Sequence, residues 1–164
     1  FKEYHRQYRE QRKTWDIIPY EYWIKKLKKL GENYIIGDFG CGEGKIGQDP
    51  QLSSRVKSFD HVSIDDFSKI IPCDMTDVSE HVNDGGLNAV VFSLSLMGKN
   101  WKEYLKEAHR CLHEYGTLFI SETTNQVSER LTDLEEELKK LGFRIEKKEE
   151  KSLFTFIEAL KIEK

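Results

Sequence analysis

The segment with the clearest chemical meaning is Asp38-Phe39-Gly40-Cys41-Gly42-Glu43-Gly44, in which an acid precedes three alternating glycines. It follows an apolar run, which indicates a buried strand that turns sharply into a helix. Glycine reaches positive φ angles and lets backbone N–H groups come close to a ligand. An acid at Asp38 would repel a phosphate but would suit an ammonium or sulfonium group. The segment therefore favours S-adenosylmethionine over a dinucleotide, with a plain tight turn as the alternative.

A second acid, Asp60, closes a predicted strand over residues 56–60. It lies about 20 residues after Gly40, the spacing from which a carboxylate binds ribose hydroxyls in open α/β sheets. Asp65 and Asp66 are rival acids, but they fall in the loop after this strand. We therefore expect Asp60 to bind the ribose.

A third predicted strand is followed by Asp74 and Met75. The Asp74 carboxylate could accept a hydrogen bond from an adenine amino group, and Met75 could pack on the adenine ring. The alternative for Asp74 is a turn cap, because Thr76 and Asp77 follow it. The residues alone leave both roles open for Asp74.

Strands and helices alternate along the chain, and a hairpin closes it. Strands are predicted at residues 34–39, 56–60, 70–75, 87–96 and 117–121, with the hairpin at 143–148 and 153–160. Helices are predicted at 1–13, from Pro19 to Gly31, before Asp49-Pro50, at 101–113 ended by Gly116, and at 127–141. This order predicts an α/β class I methyltransferase fold, with a mostly parallel Rossmann-like sheet and helices on both faces. We expect one methyltransferase domain over 1–164, with an N-terminal helical lid at 1–33 and a core at 34–164.

Composition narrows the class of protein. The chain has 164 residues, 38% of them hydrophobic and 34% charged, with a formal net charge of −3. It contains neither an apolar run of membrane-spanning length nor a secretory leader, so we expect an intracellular protein without a membrane partner. Three cysteines without C-x-x-C spacing argue against a disulfide framework and a zinc site, and no metal is expected. Because the chain begins at Phe1 rather than methionine, we expect an upstream region to be missing.

The first 30 residues are basic although the chain as a whole is acidic. A basic segment next to a cofactor cleft predicts contact with nucleic acid, and a solvated helix face is the alternative. The basic side chains are Lys2, Arg6, Arg9, Arg12, Lys13, Lys25, Lys26, Lys28 and Lys29.

Several segments, taken in order, are similar to the ribosomal RNA-processing protein 8 (nucleomethylin) methyltransferases. They are residues 1–8, Lys13-Thr14-Trp15, Asp38-Phe39-Gly40-Cys41-Gly42, Phe59-Asp60, Cys73-Asp74-Met75 and residues 91–98. The glycine segment is common to many methyltransferases, whereas Tyr4-His5 and Ser95-Leu96-Met97-Gly98 are more specific. The resemblance implies S-adenosylmethionine as cofactor and methylation of adenine position 1 in ribosomal RNA.

Cofactor-binding residues follow from the same resemblance. By motif position they are His5, Gly40, Gly42, Asp60, Asp74, Met75 and Ser93, with His5 reaching toward the methionine end of the cofactor. Ser93 stands where the best-known members carry cysteine, and Gly44 is a third glycine that some members lack.

Methyl transfer to adenine position 1 needs no general base, because this nitrogen is neutral and carries a free lone pair. We therefore predict no catalytic acid or base. The main task of the protein is to align the acceptor nitrogen with the methyl carbon of the cofactor. RNA is favoured over DNA, and an acidic pI of about 6.0 suggests that a protein partner assists substrate binding. The rivals are a DNA or small-molecule methyltransferase and a non-catalytic cofactor-binding module. The predicted location is the nucleus or nucleolus in a eukaryote and the cytoplasm in a microbe.

Overall fold

A computed structural model describes residues 17–61, 69–96 and 98–163. The strands are β1 Ile36–Phe39, β2 Val56–Asp60, β3 Ile70–Pro72, β4 Leu87–Ser93, β5 Leu112–Thr123, β6 Phe143–Lys151 and β7 Phe154–Lys161. The helices are α1 Pro19–Leu27, α2 Lys45–Gln48, α3 Trp101–Cys111 and α4 Thr124–Leu141, and a short 3-10 turn covers Ser53–Arg55. The predicted helix at residues 1–13 lies outside the described residues. No described helix has the length and apolarity to span a membrane.

All seven strands form a single sheet in the order β3-β2-β1-β4-β5-β7-β6. Strands β1 to β5 run parallel to one another, whereas β7 lies antiparallel between β5 and β6. The predicted class I methyltransferase fold with its closing hairpin is confirmed. The strand order reverses between β1 and β4, which is where open α/β sheets bind their ligands.

Apolar side chains cover both faces of the sheet, and β4 contributes side chains to both. Its residues alternate between the two faces, as strand geometry requires. Val90 and Phe92 join one buried cluster with α3 and α4, whereas Ala89 and Val91 join another with α1. The core helix α1 begins with Pro19 at its first position and buries Trp23 completely.

The largest correction concerns Gly116, which was expected to end a helix. Helix α3 ends at Cys111, and Gly116 lies inside the 12-residue strand β5. A Cβ atom at this position would lie 2.9 Å from the carbonyl oxygens of Asn88 and His113, so a close backbone approach requires the glycine. Here β5 passes close to the carbonyl oxygen of Asn88, at an irregular step in the register between β4 and β5, which a local pattern cannot show.

Other boundaries differ by smaller amounts. Strand β1 begins at Ile36 rather than Tyr34, and β3 ends at Pro72 rather than Met75. Strand β4 ends at Ser93 instead of Leu96 because the next residue, Leu94, has a φ of 59° and leaves the strand path. Helix α4 begins at Thr124, three residues before the prediction, and Gly142 ends it as expected with a φ of 100°.

Candidate cofactor site

The candidate site is the crevice beyond the carboxyl ends of β1, β2, β3 and β4. Parallel strands end at the same edge of the sheet, so the segments that follow them converge there. These segments carry Gly40, Gly42, Asp60, Asp74 and Met75, while Ser93 is the last residue of β4. His5 and the rival acids Asp65 and Asp66 lie outside the described residues.

A left-handed glycine turn forms one wall of the crevice. Gly40, Gly42 and Gly44 have φ angles of 76°, 61° and 73°, a region that other residues rarely adopt. The N–H groups of Gly40 and Cys41 both donate to the carbonyl oxygen of Phe59, at 2.8 and 2.9 Å. These bonds fix the turn to the end of β2.

Asp60 supports this turn from the end of β2. Its Oδ2 accepts a hydrogen bond from the Gly42 N–H at 2.8 Å, and its Oδ1 accepts one from the His61 N–H at 2.7 Å. The residue is 5% exposed. A carboxylate retains lone pairs beyond two such bonds, so this position remains compatible with binding hydroxyl groups.

Asp38 is the least satisfied acid of the site. It is 2% exposed at the end of β1, and its Oδ1 has no hydrogen-bond partner among the described residues. Burial, and then the charge of Asp60, raise the pKa of Asp38 from 3.8 to about 7. A buried carboxyl group in this state gains most from a cationic ligand, so the site fits the sulfonium or ammonium group of S-adenosylmethionine.

Cys41 offers no nucleophile in this crevice. Burial and the charges of Asp38 and Asp60 raise the pKa of its thiol far above the ordinary range. The thiol therefore stays protonated at neutral pH, and thiolate chemistry is not available here.

Asp74 and Met75 form a turn after β3. The Asp74 Oδ1 accepts hydrogen bonds from the Thr76 N–H and Oγ1, each at 2.9 Å, and these bonds lower the Asp74 pKa. Asp74 therefore caps this turn, which is the alternative role considered for it, and its side chain is exposed to solvent. Met75 is buried, and its Cε lies 3.8 Å from the place of a Cβ on Gly40. The structure therefore brings Met75 to the glycine turn.

Ser93 ends β4 next to Ser121 of β5 in the parallel register. The two hydroxyl oxygens are 3.5 Å apart, and the Trp23 Nε1–H donates to the Ser121 Oγ at 2.9 Å. Trp23 and Ser121 are fully buried. Helix α1 is therefore connected through Ser121 to the position where Ser93 meets the crevice.

Three polar residues that sequence reasoning did not select also shape the site: Ser95, Ser121 and Glu122. The Ser95 Oγ donates to the carbonyl oxygen of Phe39 at 2.6 Å, and the Glu122 Oε2 accepts from the Leu96 N–H at 2.9 Å. No sequence pattern marks these roles, because each depends on contacts between segments far apart in the chain. The one available signal was position, since Ser95 and Ser121 lie at the ends of predicted strands and Glu122 directly follows one.

Comparison with known proteins gives a consistent result. A family model described as "Hypothetical methyltransferase" matches residues 1–164. The chain is 39% identical over 152 residues to the ribosomal RNA-processing protein 8 of Drosophila melanogaster, covering 91% of this chain and 40% of that protein. It is 34% identical over 174 residues to the 25S rRNA (adenine(645)-N(1))-methyltransferase of Schizosaccharomyces pombe, covering 99% of this chain and 54% of that protein.

The fold has solved counterparts at low sequence identity. A TehB-like SAM-dependent methyltransferase from Corynebacterium glutamicum matches with a TM-score of 0.71 and 19% identity, covering 97% of this chain and 96% of that one. This likeness shows the fold alone. The chain spans about half the length, or less, of the two relatives named above.

Proposed function

Because this chain belongs to the methyltransferase family whose model matches residues 1–164, we propose that it methylates position 1 of adenine in RNA, with ribosomal RNA as the favoured substrate. The observation that carries the proposal is the buried, partly unsatisfied Asp38 carboxyl group in a glycine-walled crevice. Such a site has the chemistry to hold a cationic methyl donor. The acceptor is inferred from the Schizosaccharomyces pombe relative, whose name specifies adenine N(1) of 25S rRNA.

S-adenosylmethionine, when bound, supplies an electrophilic methyl group on a positively charged sulfur. On this proposal Gly40 and Gly42 give it a wall without side chains, and Asp38 balances its positive charge. Asp60 accepts from the ribose hydroxyls while it also holds the Gly42 N–H. Asp74 and Met75 bind the adenine ring of the cofactor, and the Ser93 hydroxyl group forms a polar contact with the cofactor at the end of β4.

Catalysis then depends on alignment rather than on proton transfer. Nitrogen 1 of adenine is neutral and carries its lone pair at neutral pH, so no residue has to remove a proton before the attack. The protein has to hold this nitrogen in line with the methyl carbon and exclude water from the crevice. We therefore assign no acid or base.

Binding of RNA is proposed to need more than the described surface. Lys26 on α1 pairs with Glu158, and Lys28 just after α1 pairs with Asp49, each at 3.0 Å, which reduces their value for phosphate contacts. The formal net charge is −3. We infer that the basic residues 2–13, a protein partner or both supply the remaining positive charge.

The N-terminal segment of residues 1–33 is proposed to close over the cofactor, with His5 contacting its methionine end. The support is that α1, although packed in the core, bonds through Trp23 to Ser121, the neighbour of Ser93, which fixes this part of the segment close to the crevice. The place of action would be where ribosomal RNA matures, which is the nucleolus in a eukaryote and the cytoplasm in a microbe.

The proposal is tested by supplying methyl-labelled S-adenosylmethionine with unmethylated ribosomal RNA, total DNA or a small-molecule extract in parallel. We expect label in RNA, released on digestion as 1-methyladenosine, and little label in the other two samples. The Asp38→Asn variant should lose most of the incorporation, whereas Asp133→Asn, an exposed residue on α4, should not. Label in DNA or small molecules alone would reject RNA as acceptor, and cofactor binding without any transfer would indicate a binding module.

The RNA-binding part of the proposal is tested separately by reversing Arg9, Arg12 and Lys13 to glutamate. Cofactor affinity should be retained, while RNA affinity falls and its dependence on salt becomes flatter. Unchanged RNA binding at low salt would remove this segment from the interface.

A further inference from the structure

Two loops meet at the point where the strand order reverses. One is the glycine turn after β1, and the other follows β4 and includes residues 94–96 and Gly98; we call the latter the post-β4 loop. Because β1 and β4 are neighbours, these loops form the two sides of the crevice. The side formed by the glycine turn is the one proposed to hold the cofactor, which leaves the post-β4 loop to face the incoming acceptor.

The post-β4 loop is held against the glycine turn by Ser95. Its Oγ donates to the carbonyl oxygen of Phe39 at 2.6 Å. Its Cβ lies 2.5 Å from the place that a Cβ on Gly40 would occupy, so the loop rests directly on the glycine backbone. A shift of this loop would therefore change the width of the crevice.

The other side of the loop is held by the end of β5. The Leu94 N–H donates to the carbonyl oxygen of Ser121 at 2.9 Å, although Leu94 has an unfavourable φ of 59°. The Leu96 N–H donates to the Glu122 Oε2, also at 2.9 Å, in a buried setting. Glu122 itself is only 3% exposed. A left-handed leucine and a buried carboxylate are both costly, and such features concentrate where a loop must hold one conformation.

We propose that Glu122 is a positioning residue for the methyl acceptor, which it aligns by fixing the post-β4 loop through the Leu96 N–H. The inference rests on the proposed function and adds a residue to it. A hydrogen bond to a carboxylate is stronger than one to a neutral group, and its burial protects it from competition by water. The base that enters the crevice then meets a loop whose backbone groups are already in place.

The proposal predicts that a change at Glu122 affects methyl transfer to the acceptor but not binding of the cofactor. Replacing Glu122 with alanine frees the Leu96 N–H and loosens the loop, while the contacts proposed for the cofactor stay intact. Small errors in alignment lower rates by one to two orders of magnitude, so we expect kcat for RNA methylation to fall roughly 10- to 100-fold. The Kd for S-adenosylmethionine should stay within about twofold, since a change below about 0.4 kcal/mol leaves it there.

Two further variants make the test specific. Glu122→Gln keeps an accepting oxygen at the same distance along the side chain and should recover most of the activity. Glu129→Ala removes an exposed glutamate of α4 and should behave like the wild-type protein. Amide hydrogen exchange gives a second readout that needs no activity: the Leu96 amide should exchange faster in Glu122→Ala, whereas amides inside β4 keep their protection.

Each outcome has one meaning. An active wild-type protein together with an equally active Glu122→Ala variant would overturn the role of Glu122 and leave the proposed function standing. A loss of activity accompanied by equal loss of cofactor binding, or by faster exchange throughout β4, would make Glu122 a general structural residue and also overturn the inference. A wild-type protein that methylates no RNA would refute the proposed function, and this role with it.

Discussion

Replacing Asp38 with asparagine should change how the stability of the ligand-free protein depends on pH. Burial, followed by the charge of Asp60, raises the Asp38 pKa from 3.8 to about 7 in the folded protein. Between these two values the unfolded chain has released the proton while the folded protein keeps it. The stability linked to this group is therefore present below the lower pKa, is lost as the pH rises toward about 7, and changes little above that.

The size of the effect follows from the interval between the two pKa values. Each pH unit inside it changes the free energy of unfolding by up to about 1.4 kcal/mol. From roughly pH 5 to pH 7 the wild-type protein should therefore lose up to about 2.7 kcal/mol relative to Asp38→Asn. The asparagine side chain has nearly the same shape but no proton to exchange, so its contribution stays constant across this range.

Urea unfolding of both proteins at several pH values between 5 and 8 gives the measurement. Subtracting one free energy of unfolding from the other removes the contributions of other groups, including Asp74 and Glu149, whose pKa values are lowered by hydrogen bonds. The exposed Asp133→Asn variant serves as the matched control for replacing a carboxyl group with an amide. A difference between the wild-type protein and Asp38→Asn that does not change with pH would refute the assignment of a raised pKa to Asp38.

Three further outcomes are expected. Asp60→Ala removes the acceptor of the Gly42 N–H and should weaken S-adenosylmethionine and S-adenosylhomocysteine binding by about 1–3 kcal/mol in calorimetry; unchanged affinity would exclude Asp60 from the site. Gly40→Ala forces a side chain at a φ of 76° and 2.5 Å from the Ser95 Cβ, so its Tm should fall, and adding Ser95→Gly should restore part of the loss. Lys161→Met leaves the part-buried carbonyl oxygen of His109 and the buried one of Leu112 without the amine that lies 2.7 Å from each, and chemical unfolding should report a loss of about 1–3 kcal/mol.

The sequence predicted most of the fold because its signals were local and agreed with one another. Strand β2 has the predicted bounds, Val56–Asp60, and Pro19 and Gly142 mark a helix start and a helix end as expected. Gly116 misled the prediction because a glycine after a helix usually ends it, whereas here it allows close approach of neighbouring strands. The exception is thus a residue whose role is decided by partners distant in sequence.

In the candidate site, too, the sequence predicts some residues and not others. Gly40, Gly42 and Asp60 follow a recognisable spacing, and the structure places them in one turn. Ser95 and Glu122 follow no spacing rule, because one bonds to the end of β1 and the other to a loop that begins at the end of β4. A pattern can indicate where a strand ends, but it cannot indicate which distant backbone group a side chain will meet there.

The mixed direction of the strands has a consequence for the order of folding. The antiparallel hairpin β6–β7 joins neighbouring segments, which pair within microseconds in simple systems. The parallel pair of β1 and β4 must instead bring together segments separated by residues 40–86, and closing so long a loop is slow. We therefore expect this pair, and the crevice beside it, to form late, so that a ligand finds its binding surface only after most of the barrier has been crossed. Such a ligand should prolong the lifetime of the folded protein by slowing unfolding, with little effect on the rate of folding.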